Sequence, residues 1–156
     1  MNYVNLKSQD VGKLQLNEQL TLRSTGLGSG MLGLPGDFTP PSRFVRSAFF
    51  SSFIVPVDTS KDAIYQLFHT LNNFDIPKGV AQETYKGQPM YDITQWTSAN
   101  DLKNRRFYFK TYDDQSIRMV DLAKFDKNAK DIKVISMAGE TSIRDVSEQA
   151  KQYSPQ

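Results

Sequence analysis

The chain has 156 residues, of which 38% are hydrophobic and 23% charged, a composition typical of a globular protein rather than a disordered one. Its 19 basic and 17 acidic side chains nearly balance, which argues against nucleic acid as a partner. No apolar stretch approaches the ~18 residues of a membrane span. With no cysteine and a single histidine, His69, the sequence lacks the residues for a thiolate or multi-histidine metal site. We therefore expect no metal, no cofactor, no nucleic acid and no membrane.

Residues 1–41 lead into the first helix. Weak alternation of apolar and polar residues in 1–27 predicts short strands or an extended arm, on the evidence of Val4, Leu6, Leu14, Leu16, Leu20 and Leu22. The loop that follows contains a G-x-G-x-x-G pattern at Gly28, Gly30 and Gly33. A nucleotide-binding loop requires a helix directly after these glycines, and Pro35 prevents one from starting there. The glycines are therefore interpreted as turn residues.

A first helix is predicted to begin at Thr39-Pro40-Pro41-Ser42, where a hydroxyl cap precedes prolines in the first turn. Its apolar face comprises Phe44, Val45, Ala48, Phe49 and Phe53. Arg43 lies in the first turn, where a positive charge opposes the helix dipole, and this invites a functional explanation. The alternative is that Arg43 and the flanking Arg46 are ordinary surface cations. For Asp37, an Asx-type hydrogen bond to nearby backbone is favoured over catalysis.

A second helix is predicted to begin at Thr59 or Ser60 and to end near Asn72. Asp62 lies in its first turn. Its expected apolar face contains Ala63, Ile64, Leu67, Phe68 and Leu71. His69 is interpreted as a surface or satisfied core residue, with a functional role as the less favoured alternative.

The second half of the chain reads as strands. Alternation predicts strands in 91–98 and 106–112, joined by a loop at 100–104, and two more strands at 117–122 and 132–137. Short connections between them imply an antiparallel sheet, so helices followed by strands predict an α+β fold. The aromatic residues in these strands are expected to pack the sheet rather than stack on a ligand: Tyr91, Trp96, Tyr108 and Tyr112.

Several of these stretches resemble the choloylglycine hydrolase and penicillin V acylase family. The most specific is GSGMLGLPGDFTPPSRFVRSAFF, which starts at Gly28. Further agreement follows in order at YQLFHTLNNFDIPKG (65–79), DITQWTS (92–98), DLKN (101–104) and FYFKTY (107–112). The segment NYVNL (2–6) is similar to the strand that enters this region. The resemblance covers nearly the whole chain.

The resemblance implies an N-terminal-nucleophile hydrolase with an αββα sandwich. Its members hydrolyse non-peptide amide bonds in conjugated bile salts, penicillin V or, for some members, acyl-homoserine lactones. Their nucleophile is a processed N-terminal cysteine whose own α-amino group acts as the base. Of the family's catalytic residues only the arginine of SRFV maps here, onto Arg43. Asn2 falls just after the position of the family's catalytic asparagine and is not assigned that role.

The resemblance is to the C-terminal part of the family, so residues 1–156 are expected to form a single partial domain. A guanidinium at Arg43 would favour the thiolate of a cysteine supplied from elsewhere. The expected partners are a small amide substrate and a complementing N-terminal half or a homo-oligomer, and the chain alone is expected to be inactive. Substrate-binding residues are not assigned. Localisation stays open: cytoplasmic as it stands, periplasmic if an N-terminal part carries a signal. The alternative function is a non-catalytic remnant or binding module.

Overall fold

The computed structural model describes residues 7, 12–23, 26–140 and 142–153, so the expectations for Val4 and Leu6 lie outside the described residues. The chain divides into two compact units, Met1–Ile76 and Pro77–Gln156. The first unit contains β1 (Lys13–Gln15), β2 (Thr21–Arg23), α1 (Pro40–Phe53) and α2 (Ser60–Leu71). The second contains β3 (Ala81–Tyr85), β4 (Gln88–Asp92), β5 (Trp96–Asp101), β6 (Arg106–Thr111) and β7 (Arg118–Asp121). None of the helices in the described ranges is long and apolar enough to cross a membrane.

Strands β1 and β2 form an antiparallel hairpin in which Lys13 lies opposite Arg23. The side chain of Asn17 holds the connecting turn, because its Oδ1 accepts from the Gln19 N–H at 3.0 Å and the Leu20 N–H at 2.8 Å. Such Asx turns stabilise a tight reversal without further packing. The short strands predicted for this region are therefore present.

Helix α1 begins where the sequence predicts, but a different face is buried. Its buried residues are Ser42, Arg46 and Phe49. Phe44, predicted to pack inward, is 71% exposed, whereas Arg46 is 5% exposed. The prediction failed because it counted only apolar residues. An arginine has a long aliphatic stem, and its charged group can be buried where backbone carbonyls accept its hydrogen bonds.

Helix α2 confirms its predicted start, since the Thr59 hydroxyl oxygen accepts from the Asp62 N–H at 3.1 Å. Ile64 and Phe68 are its buried residues, while Leu67 is 38% exposed and Ala63 is also exposed. Hence the buried face is narrower than the predicted stripe. Gln66 links the two helical segments by donating from Nε2 to the Val55 carbonyl at 2.8 Å.

The second unit holds two antiparallel sheets, β3–β4 and β5–β6–β7. Strands β3 and β4 are joined by Lys86 and Gly87, whose φ angles are 50° and 77°; positive φ at both positions is typical of a tight hairpin turn. The sequence analysis overlooked β3 and treated 91–98 as one strand. In the structure β4 ends at Asp92 and β5 begins at Trp96. The α+β class with antiparallel sheets and two helices is confirmed.

The predicted strand at 132–137 is wrong, because this segment has no regular secondary structure. It is held by a side chain instead: Arg118 Nη1 donates to the carbonyls of Met137 and Ala138, both at 3.0 Å. The same guanidinium lies 4.5 Å from the centre of the Phe109 ring, and its Nε is 3.3 Å from Asp114 Oδ2. Alternation of apolar residues does not distinguish a strand from an extended segment fixed in this way.

Gly139 allows this close approach, and we expect Gly139→Ala to destabilise the second unit. An added Cβ would overlap Asp114 Oδ2 and lie 2.8 Å from Arg118 Nη1. Overpacking of this kind costs about 1–3 kcal/mol, measurable as a lower denaturant midpoint. Gly36→Ala is the matched control, because its Cβ meets nothing within 4 Å. Equal midpoints for the two variants would contradict the prediction.

Candidate functional site

The Gly- and Pro-rich segment before α1 is a succession of turns. Gly28 and Gly33 have φ angles of 96° and 94°, which favour glycine. A single 3-10 turn, Ser29–Met31, lies between them, and the next helix is α1, which starts at Pro40. No helix therefore begins directly after Gly33, as a dinucleotide-binding loop would require. The turn interpretation of the glycines holds.

The side chain of Asp37 stabilises the start of α1 by accepting hydrogen bonds. Its Oδ1 accepts from the Thr39 N–H at 3.0 Å and the Thr39 hydroxyl at 2.5 Å. Its Oδ2 accepts from the hydroxyl of the buried Ser42 at 2.6 Å. These hydrogen bonds lower the pKa of Asp37 from 3.8 to about 2, and the bond from Ser42 makes the largest contribution. The expected Asx-type hydrogen bond is confirmed, and the Thr39 hydroxyl serves Asp37 rather than capping the helix itself.

We expect Asp37→Asn to change how stability depends on pH. The folded-state pKa lies below the ordinary value, so ionised Asp37 stabilises the fold fully above about pH 4. That contribution disappears as the pH falls toward 2. The difference between the urea midpoints of wild type and Asp37→Asn should therefore be constant near neutrality and shrink in acid. Ser42→Ala should raise the folded-state pKa of Asp37 and so narrow the pH range over which the stability of the chain changes. Parallel pH profiles of stability for all three proteins would contradict the prediction.

Arg46 is the buried cation of the site. Its Nη1 donates to the carbonyls of Pro35 at 2.8 Å and Asp37 at 2.6 Å. The guanidinium lies 5.2 Å from the centre of the Phe74 ring, an arrangement that stabilises a desolvated cation. Its Nε and Nη2 are buried and have no hydrogen-bond partner among the described residues. The sequence analysis missed this role, although its spacing four residues from Ser42 and three from Phe49 matches a buried helix face.

Arg43 and Arg46 differ in exposure and in hydrogen bonding. It is exposed, and among the residues that the structure describes its guanidinium has no hydrogen-bond or ion-pair partner. Its neighbour Phe44 is exposed as well. A free guanidinium offers five N–H donors and a permanent charge to a thiolate, a carboxylate or an oxyanion. The site is thus a hydrogen-bonded turn followed by an exposed cation, Arg43, whose guanidinium has no partner in the part of the chain that the structure describes.

The remaining sequence candidates form no cluster with a chemical function. His69 is exposed on α2. Its carbonyl accepts from Asn73 Nδ2 at 3.1 Å, and its imidazole has no hydrogen-bond or ion-pair partner among the described residues. Trp96 is 57% exposed and Tyr112 is 39% exposed, so both pack the sheet less than expected. Within the described ranges no group of three histidine, aspartate or glutamate side chains could hold a metal ion.

Comparison with known proteins places the chain in a family. Residues 1–135 match the family described as linear amide C–N hydrolases, choloylglycine hydrolase family. A bile salt hydrolase/transferase of Clostridium perfringens is 34% identical over 144 residues, which is 92% of this chain and 43% of that protein. The chain therefore spans less than half the length of this relative.

Solved structures agree with the sequence relatives. A variant of the conjugated bile acid hydrolase from Clostridium perfringens superposes with a TM-score of 0.76 at 31% identity, covering 93% of this chain and 43% of that one. The penicillin V acylase from Agrobacterium tumefaciens gives a TM-score of 0.51 at 28% identity over 62% of this chain and 30% of that one. This chain belongs to the choloylglycine hydrolase family of linear amide C–N hydrolases.

Proposed function

We propose that this chain is the C-terminal section of a linear amide C–N hydrolase and that it supplies Arg43 to the active site. The observation that carries the proposal is the exposed guanidinium of Arg43 in a family member, which has no partner among the described residues and lies directly after a turn that Asp37 and Arg46 hold in place. A cation at the positive end of a helix dipole is unfavourable for folding. An interaction made only in the assembled enzyme explains its position.

The proposed reaction is attack of a cysteine thiolate on the carbonyl carbon of an amide. The cysteine's α-amino group takes the thiol proton, the thiolate sulfur bonds to the carbonyl carbon, the C–N bond breaks, and the same proton passes to the leaving amine. Water then hydrolyses the thioester and releases the acid. A nearby guanidinium lowers the pKa of a thiol and so raises the thiolate fraction. This is the role we assign to Arg43, with bile salts or penicillin V as the substrate class.

The thiol must come from outside these 156 residues, because they contain no cysteine. The source is a complementing section of the hydrolase, either in the same protein or in a separate chain. An exposed apolar residue directly after Arg43 supports such a partner, since Phe44 is 71% exposed. An exposed aromatic side chain beside an exposed cation fits a surface that another part of the protein covers.

The proposal is tested by reconstitution. This chain is combined with a cysteine-bearing section of the Clostridium perfringens relative, once by co-expression and once as a fusion. Release of glycine or taurine from conjugated bile salts, and of phenoxyacetate from penicillin V, is then measured. We expect release in at least one format and none when the cysteine of that section is replaced by alanine.

The same experiment also tests the alternative function, a non-catalytic binding module. If the two sections form a complex that releases no product in either format, this chain is an interaction module that has kept part of the fold. If they form no complex, the proposal of a complementing section fails. Activity of this chain alone would also overturn the proposal, since it would place a nucleophile within these residues.

A further inference from the structure

We propose that Arg46 is a positioning residue, which fixes the orientation of Arg43 by holding together the turn before α1. The inference rests on the proposed function for its consequence in catalysis, but its structural part stands independently. Arg46 makes no contact with reacting atoms in this scheme. It acts through the backbone of residues 35–37.

Arg46 bridges two consecutive parts of the turn. One nitrogen, Nη1, binds the Pro35 carbonyl at 2.8 Å and the Asp37 carbonyl at 2.6 Å. A Pro-Gly-Asp turn followed by two prolines is poor in backbone N–H donors, so its carbonyls need a donor from elsewhere. A charged donor gives stronger hydrogen bonds than a neutral one.

Burial leaves the Arg46 side chain few alternative positions. It is 5% exposed, and its guanidinium is packed over the Phe74 ring at 5.2 Å. Two of its nitrogens, Nε and Nη2, stay without a hydrogen-bond partner. Burying a cation with unmet donors is costly for folding. The two hydrogen bonds from Nη1 to the Pro35 and Asp37 carbonyls explain why a buried cation is present at this position.

The two arginines are linked by their positions on α1 and by Asp37. Arg43 and Arg46 are three residues apart on α1 and are therefore neighbours on its surface. Asp37 belongs to both parts of the arrangement: its carbonyl is held by Arg46, and its carboxylate holds Thr39 and Ser42. Any change in the turn therefore reaches the residue directly before Arg43.

The test uses Arg46→Met in the isolated, isotope-labelled chain. We expect the Thr39 amide, which donates to Asp37 Oδ1, to exchange its hydrogen at least about tenfold faster than in wild type. The Leu20 amide, held by the side chain of Asn17, is the internal reference and should keep its rate. The pKa of Asp37, followed by NMR, should rise from about 2 toward its ordinary value of 3.8.

Two further variants separate positioning from packing. Phe74→Leu keeps both carbonyl bonds, so Thr39 protection should persist. Arg46→Lys should restore part of the protection, since one ammonium can still reach a carbonyl. If Arg46→Met lowers the unfolding midpoint but leaves Thr39 exchange and the Asp37 titration unchanged, the proposal is wrong. In a reconstituted enzyme, Arg46→Lys should lower kcat with little change in KM. The exchange result stands even if reconstitution yields no turnover.

Discussion

Replacing Arg43 by alanine in the reconstituted hydrolase should lower kcat/KM by about 10²-fold or more, the effect typical of removing one group that stabilises developing charge. The stability of the chain should not fall with it. Arg43 is exposed and unpartnered among the described residues, and surface substitutions of that kind usually change stability by less than about 0.5 kcal/mol. Removing a cation that opposes the helix dipole should even stabilise α1 by a few tenths of a kcal/mol.

The measurement pairs turnover with urea unfolding of the same preparations. Arg144→Ala is the matched control, because Arg144 is an exposed arginine in the other unit. It should change neither quantity. Arg43→Lys keeps the charge but loses the planar fork, so its activity should fall between that of wild type and Arg43→Ala. A parallel loss of activity and stability in Arg43→Ala would show that Arg43 maintains the fold instead of the chemistry.

The helices show how far local sequence signals reach. Thr39-Pro40-Pro41-Ser42 and Thr59-Ser60 mark the starts of α1 and α2, because capping and proline geometry act within one turn. Which face is buried depends on distant partners instead. The guanidinium of Arg46 is buried against carbonyls 9 and 11 residues earlier in the chain. Hydrophobic periodicity contains no information about such partners, so the predicted face of α1 was wrong.

The strands show the same limit. Hairpins that pair neighbouring segments, such as β5 with β6, follow from alternation and turn residues. The segment 132–137 alternates in a similar way and still forms no strand, because alternation alone does not distinguish a strand from an extended segment; at its end the Met137 carbonyl accepts from Arg118 Nη1 at 3.0 Å. For the candidate site, the resemblance alone maps the family's arginine onto Arg43. The structure adds that Arg43 is exposed whereas Arg46, on the same helix, is buried, a difference that the sequence did not predict.

Phe109 is the residue whose loss should destabilise the second unit most. It lies in β6 between Ser98 of β5 and Arg118 of β7, and it is 4% exposed. Its ring stacks on Phe107 at a centroid distance of 5.7 Å and lies under the Arg118 guanidinium at 4.5 Å. Truncating a buried phenylalanine to alanine costs about 3–5 kcal/mol. We therefore expect Phe109→Ala to lower the denaturant midpoint more than Gly139→Ala does.

Phe109→Leu distinguishes the two contributions of the ring. Leucine keeps most of the buried apolar volume but removes the aromatic face on which Arg118 rests, so the midpoint should fall less than in Phe109→Ala. In both variants the Arg118 guanidinium loses the aromatic ring on which it packs, so its hydrogen bonds to the Met137 and Ala138 carbonyls should weaken. Residues 132–140 should therefore become less protected in both variants. Hydrogen exchange and proteolysis at 132–140 measure that loss of protection. If the segment stays protected in Phe109→Leu, Arg118 is positioned by its ion pair with Asp114 and its hydrogen bond to the Thr111 hydroxyl at 3.2 Å, and the ring acts only as core.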